Sequence, residues 1–134
     1  MREVEMVEVK TADLIGPALD WAVAKAENQH VHIGLPEYGV GHRIFTVTGS
    51  GVAMAVAYRP STDWKTGGPL IDKYAVKFSP LAVDMSGAPR LWDAEPWGYE
   101  QKDVVGETAL IALCRAVTVS VLGEKVMVPK ELTQ

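Results

Sequence analysis

At 134 residues the chain has the length of one domain, and 48% hydrophobic against 22% charged residues excludes wholesale disorder. A net charge of −4 argues against general coating of DNA or RNA, which relies on a strong excess of Lys and Arg, though not against a local pocket for a small anion. A single cysteine, Cys114, excludes an intramolecular disulfide and a cysteine-based zinc site. No apolar run approaches the ~20 residues of a membrane span, and the N-terminus lacks the basic-then-apolar layout of a signal peptide, so a cytoplasmic protein with no membrane contact is expected.

Residues 4–10 mix glutamates with Val4, Met6, Val7 and Val9 and predict an edge strand. A short turn at 11–15 leads to a helix from about 16 to 28, with Pro17 in the first turn, where its missing N–H does no harm. Ala18, Trp21, Ala22 and Lys25 keep helical spacing, and the small alanines predict a closely packed neighbour. Residues 30–33, His-Val-His-Ile, alternate as a strand does. A metal there needs a third ligand such as His42, and without cysteines or a helical HExxH pattern the histidines read as surface residues. A loop over 34–41 precedes two strands, 43–48 and 52–58, joined by Gly49-Ser50-Gly51, a hairpin signature. That Gly-x-Gly enters a strand and lacks a third glycine, so it is no dinucleotide fingerprint.

The densest chemistry lies in residues 58–71, Tyr-Arg-Pro-Ser-Thr-Asp-Trp-Lys-Thr-Gly-Gly-Pro-Leu-Ile. Pro60 keeps Arg59 extended, and Ser61, Thr62 and Asp63 are suited to turns in which a side chain bonds a nearby backbone N–H. Gly67 and Gly68 permit positive φ or close backbone approach, and Pro69 directs the exit. This predicts a shaped loop. It is not a Walker loop, because Lys65 and Thr66 precede the glycines. Trp64 is either a plug folded onto the core or an indole face offered to a ligand.

Beyond the loop, strands are expected at 73–78 and 81–85. A second loop is expected over 86–98, where Gly87, Pro89, Trp92, Pro96, Trp97 and Gly98 crowd together. Arg90, Trp92 and Trp97 either face Trp64 across a cleft or lid the core. The clearest helix spans 108–122. Leu110, Leu113, Cys114, Val117 and Val121 form its stripe, and Gly123 stands where a C-cap belongs. Cys114 in that stripe reads as core. Arg115 is the helix's one charge; it snorkels, pairs with Asp20 or Asp63, or anchors an anionic ligand. A short extended segment at 126–129 and a polar tail at 130–134 finish the chain. The pattern of short strands between two amphipathic helices predicts an α+β fold of one domain, an antiparallel sheet with both helices on one face.

Three blocks carry a family resemblance. Residues 10–24 read Lys-Thr-Ala-Asp-Leu-Ile-Gly-Pro-Ala-Leu-Asp-Trp-Ala-Val-Ala. The central block has Pro60-Ser61-Thr62-Asp63-Trp64, then Gly67-Gly68-Pro69-Leu70-Ile71. The third has Gly106, Thr108, Leu110-Ile111-Ala112, Arg115, Leu122-Gly123, Val126, Val128-Pro129 and Leu132. Taken together they resemble the NinX-like proteins of tailed phages and prophages, with residues 30–58 outside the resemblance. It implies an accessory protein in a phage or prophage setting, acting within the bacterial host, and brings no established activity or cofactor.

No nucleophile elbow, metal-ligand cluster or positioned Ser–His or Cys–His pair stands in the sequence, which favours binding over catalysis. The expected protein is a homo-oligomer that holds a small anionic, nucleotide-like ligand, such as a host immune signalling nucleotide, and needs no cofactor or metal. Trp64 with Trp92 or Trp97 would stack on a base. Arg59, Arg90 or Arg115 would meet phosphate, and Ser61, Thr62, Asp63 and the Gly67 and Gly68 amides would add polar contacts. The alternatives are a module that binds and inhibits a host protein, and a nucleotide hydrolase with Asp63 as general base.

Overall fold

The fold is built around a helix that is apolar on nearly every side. In the computed structural model, which describes residues 5–34, 43–48, 54–96 and 104–133, this helix is α4 (Ala109–Leu122). From Ala109 to Val119 only Arg115 escapes full burial. A helix apolar all round must be covered all round. The cover comes from α1 (Gly16–Ala26), from β5 (Lys77–Val83), β6 (Pro89–Glu95) and β7 (Val104–Gly106), and from the short helices α2 (Trp64–Gly67) and α3 (Pro69–Tyr74). Thr108 caps α4, its hydroxyl accepting the Ile111 N–H at 3.1 Å, and Gly123 ends it at φ +92°.

Small residues set how closely these layers approach. Ala18, Ala22, Ala112, Cys114 and Ala116 are buried where α1 and α4 meet their neighbours, in one core with Leu14, Leu19, Val23, Leu113 and Val117. Gly106 of β7 lies so near α4 that a Cβ there would sit 2.5 Å from the Ala112 nitrogen. The chain ends meet in an antiparallel pair, β1 (Met6–Lys10) with β8 (Lys125–Pro129), which turns Val7, Val9, Val126 and Val128 toward the core. Thr11 ties this pair to the end of α4, its hydroxyl donating to the Gly123 carbonyl at 2.6 Å.

The α+β class and the antiparallel strands hold. The described strands divide among three sheets: β1 with β8, then β2 (Val31–Gly34), β3 (Arg43–Thr48) and β4 (Met54–Ala57) in that order, and β5, β6 and β7. A helix covered from several directions is served by several small sheets. The pairing of β3 with β4 agrees with a Gly-Ser-Gly hairpin; residues 49–51 themselves lie outside the described residues, as do residues 35–41 of the expected 34–41 loop.

Two stretches differ from the sequence reading. The expected strand at 73–78 is largely helix and turn: α3 runs to Tyr74, and Ala75, in the left-handed region at φ +49°, reverses the chain into β5. Pro69 at the head of α3 favours helix there, and β5 then continues through Val83, absorbing most of the separate piece expected at 81–85. Most of the expected loop at 86–98 is strand β6, paired with both β5 and β7. Pro89 is tolerated because it opens the strand, and Trp92 and Ala94 then supply an inward face.

Candidate functional site

Residues 58–68 form a compact unit with internal bonds of its own. Tyr58 N–H donates to the Ile44 carbonyl at 2.8 Å, fastening the start of the unit to β3. The Arg59 carbonyl then accepts the N–H groups of Thr62 and Asp63, closing the turn that Pro60 opens. Asp63 caps α2, one carboxylate oxygen accepting the Lys65 N–H and the other the Thr66 hydroxyl, each at 3.1 Å. The expected loop is therefore a turn followed by two short helices.

The glycines are needed for close approach. A Cβ on Gly67 would lie 2.4 Å from the Pro60 carbonyl oxygen and 2.9 Å from Leu110 Cδ2, and one on Gly68 would lie 2.6 Å from the Trp64 carbonyl oxygen. Their amides donate within the unit, Gly67 to Asp63 and Gly68 to Trp64. With Pro60, Ser61 and Gly67 buried, the side chains left exposed are Arg59, Thr62, Trp64 and Lys65. Trp64 is 54% exposed; it is no core plug.

Beneath this unit lies a polar cluster that the sequence reading missed. Asp20 of α1, 5% exposed, accepts the buried Ser61 N–H at 2.9 Å. Burial pushes its carboxyl up to about 6, against a smaller opposing pull from Ser61 and the Arg59 charge. The Ser61 hydroxyl lies beside the same carboxylate, yet it is buried without completing a hydrogen bond. Burial also raises the Tyr58 phenol and the Cys114 thiol, and the Asp20 charge adds to both. At the end of α1, Glu27 accepts from the Tyr74 hydroxyl and pairs with Lys73 at 2.7 Å. The sequence signal for Asp20 was available: it is a carboxylate three residues before Val23 and four before Ala24, within the stripe that α1 buries.

The other expected site residues that the structure describes have contacts of their own outside the 58–68 unit. Arg115 donates from Nε to the Leu14 carbonyl and from Nη1 to the Val105 carbonyl, both at 2.9 Å, so it fastens the turn before α1 and strand β7 onto α4. Neither Asp20 nor Asp63 is its hydrogen-bond partner. Arg90 pairs with Asp84 at the tip of the β5–β6 hairpin. There Asp84 also accepts from Ser86 and Ala88, bonds that hold its carboxyl below the usual range. Trp92 packs against Phe78 with ring centroids 5.9 Å apart. Trp97 falls outside the described residues. Among the described residues no group of three His, Cys, Asp or Glu side chains is placed to hold a metal, and no helix is long and apolar enough to cross a membrane.

Residues 10–120 match the family model described as Bacteriophage P22, NinX. That span contains α1, the 58–68 unit, the β5–β7 sheet and most of α4. No curated protein matches the chain.

Proposed function

Because the chain belongs to the NinX family of bacteriophage P22, we propose that it is a phage accessory protein that acts by binding, and that it takes a small anionic, nucleotide-like ligand on the exposed surface of the 58–68 unit. The observation that carries this reading is the half-exposed Trp64 indole on a backbone already fixed by Asp63, Gly67 and the Asp20–Ser61 bond. A preorganised aromatic face lowers the ordering cost of binding, and an indole stacks well on a nucleobase. Arg59 and Lys65 supply positive charge for phosphate, with Thr62 as a further polar contact. Arg115 and the glycine amides, engaged within the protein, act as supports in this reading.

The test is direct. Protein purified from cells is heated, and the released fraction is examined for an intact molecule absorbing at 260 nm. A panel of mono-, di- and cyclic nucleotides is then titrated against Trp fluorescence. Trp64→Ala and Arg59→Ala are each expected to weaken binding by more than about 1 kcal/mol, fivefold or more. Both variants binding every nucleotide as the wild type does would move the site elsewhere. Release of a cleaved nucleotide would favour hydrolysis.

A second reading, a module that docks on a host protein, draws on the apolar side chains of the β5–β6 hairpin. Leu81, Val83 and Met85 are exposed there by 50%, 57% and 107%. Recovery of one host protein that is lost on Leu81→Ser/Val83→Ser, with no nucleotide bound, would favour it.

A further inference from the structure

The 58–68 unit is joined to α1 by a buried hydrogen bond between residues 41 apart in sequence, from Ser61 N–H to Asp20 Oδ1 at 2.9 Å. A carboxylate is an expensive choice for that acceptor, since a buried charge needs compensation that a backbone carbonyl or an amide does not. Among the described residues, Tyr58, Arg59 and Ser61 face Asp20 from the unit itself and Cys114 from α4. Glu27 of α1 acts on Tyr58 in turn. Arg59 is the one cation in this set, and it is exposed.

We propose that Asp20 is a positioning residue for the Trp64 surface, a proton-operated latch that docks the 58–68 unit firmly when protonated and loosens it when ionised. The claim that this matters for ligand binding rests on the reading of Trp64 as the ligand surface; the latch itself does not. Its sign follows from what docking does to the carboxylate. Docking strips water from Asp20, and this desolvation outweighs the hydrogen bond from the Ser61 N–H and the Arg59 charge, leaving the carboxyl near 6 where a solvated one lies at 3.8. Lifting the unit returns water to the carboxylate and its pKa toward the ordinary value. The docked state therefore holds the proton more tightly than the lifted one. By linkage, docking is strongest below about 4, weakens as pH rises through 6, and is level above that. The Ser61 hydroxyl, buried beside the carboxyl with no partner, is suited to accept the proton of the neutral form.

The experiment is amide hydrogen exchange on the whole, ligand-free protein, following Ser61 and its neighbours at pH 4.5, 6 and 7.5 and correcting for intrinsic rates. Wild-type protection at Ser61 is expected to fall by as much as about thirtyfold from pH 4.5 to 7.5. Asp20→Asn keeps an acceptor for the Ser61 N–H and removes the titration, so its protection should stay high and flat. Asp20→Ala should lose protection at every pH. Arg59→Gln, an exposed change, should move the midpoint upward, because the Arg59 charge favours the ionised carboxylate. Flat wild-type protection, an unchanged profile in Asp20→Asn, or a stationary midpoint in Arg59→Gln would each overturn the latch. Failure of nucleotides to bind is a failure of the Trp64 reading alone, because the exchange measurement contains no ligand.

Discussion

Trp64 and Trp92 lie in stretches of similar composition, each a crowded mixture of Gly, Pro, hydroxyl and acidic residues. The surroundings of the two indoles are nonetheless different. Around Trp92 the backbone bonds are ladder bonds between β5, β6 and β7, and the ring turns inward onto Phe78. At the exposed tip of this segment Asp84 gathers Ser86, Ala88 and Arg90. Around Trp64 the buried Asp20–Ser61 bond lies underneath, the Asp63 cap fixes the start of α2, and the ring is exposed. One segment uses its aromatic residue to pack and its polar residues to turn. The other uses polar anchors and close glycine contacts to hold an aromatic residue in solvent, which is what a recognition surface needs.

The same substitution in the two segments sharpens this contrast most. Gly67→Ala places a methyl group 2.4 Å from the Pro60 carbonyl oxygen and 2.9 Å from Leu110, and overpacking of that kind is expected to cost about 3 kcal/mol. Gly87→Ala, at φ +88° in the open hairpin tip, meets nothing within 4 Å and should cost about 1 kcal/mol for the backbone alone. Chemical denaturation of both variants measures the difference. Equal costs would mean that the 58–68 unit is not pressed against α4 in solution.

Next in size is the acid profile of the buried anchor. Asp20 has a folded pKa of about 6, above its ordinary 3.8, so the stability it lends is full below about 3.8 and is lost as pH rises through 6. The loss is expected to reach about 2–3 kcal/mol. Asp20→Asn should remove this dependence and be more stable than wild type at pH 7, by up to the same amount. Subtracting the two stability profiles isolates Asp20 from other titrating groups. Asp84 at the hairpin tip has the opposite sign, its lowered pKa favouring the folded state as pH rises.

Arg115 tests which side of the molecule a residue serves. Its guanidinium holds the Leu14 and Val105 carbonyls, on the side of α4 that meets the turn before α1 and strand β7. Arg115→Ala is expected to cost about 2 kcal/mol, the scale of lost charged hydrogen bonds with carbonyls left unpaired. On the proposed reading of Trp64, any nucleotide affinity there should stay as in the wild type. A loss of affinity larger than the loss of stability would return Arg115 to the ligand site.

Legibility from sequence followed the same division. Helices α1 and α4 could be read because an apolar stripe, Pro17, Thr108 and Gly123 all agree about their positions. Pairing of β3 with β4 was readable from Gly-Ser-Gly. Helix α3 and strand β6 were not, because their prolines suggest loop until it is seen that Pro69 starts a helix and Pro89 starts a strand. At the site, the turn chemistry of Ser61 and Asp63 and the need for glycines were visible as residue types. Their settings were not: Gly67 is pressed between the Pro60 carbonyl and Leu110, 43 positions away, and the Ser61 N–H is held by Asp20, 41 positions away. Arg115 was correctly singled out as a costly charge, but an arginine satisfied by two backbone carbonyls leaves no acidic residue in the sequence to point to.

The smallest expected effect lies at the joint between the two segments. Ala75 follows α3 at φ +49°, ψ +52°, with its N–H donating to the Ile71 carbonyl, and its side chain is exposed. In that left-handed conformation a Cβ crowds the following carbonyl at a cost of roughly 1–2 kcal/mol, which glycine avoids. Glycine in turn loses more freedom on folding, by roughly 0.5–1 kcal/mol. The balance favours Ala75→Gly, which should stabilise the protein by about 0.5 kcal/mol, read as a small rise in the denaturation midpoint with an unchanged slope. Asn28, in the same conformation at φ +57° just past α1, provides the control: asparagine already tolerates this geometry, so Asn28→Gly should change stability by only a few tenths. A destabilising Ala75→Gly would mean that the joint does not keep its positive φ in solution. The 58–68 unit and the β5–β6 hairpin would then be joined by a looser hinge than a left-handed cap provides.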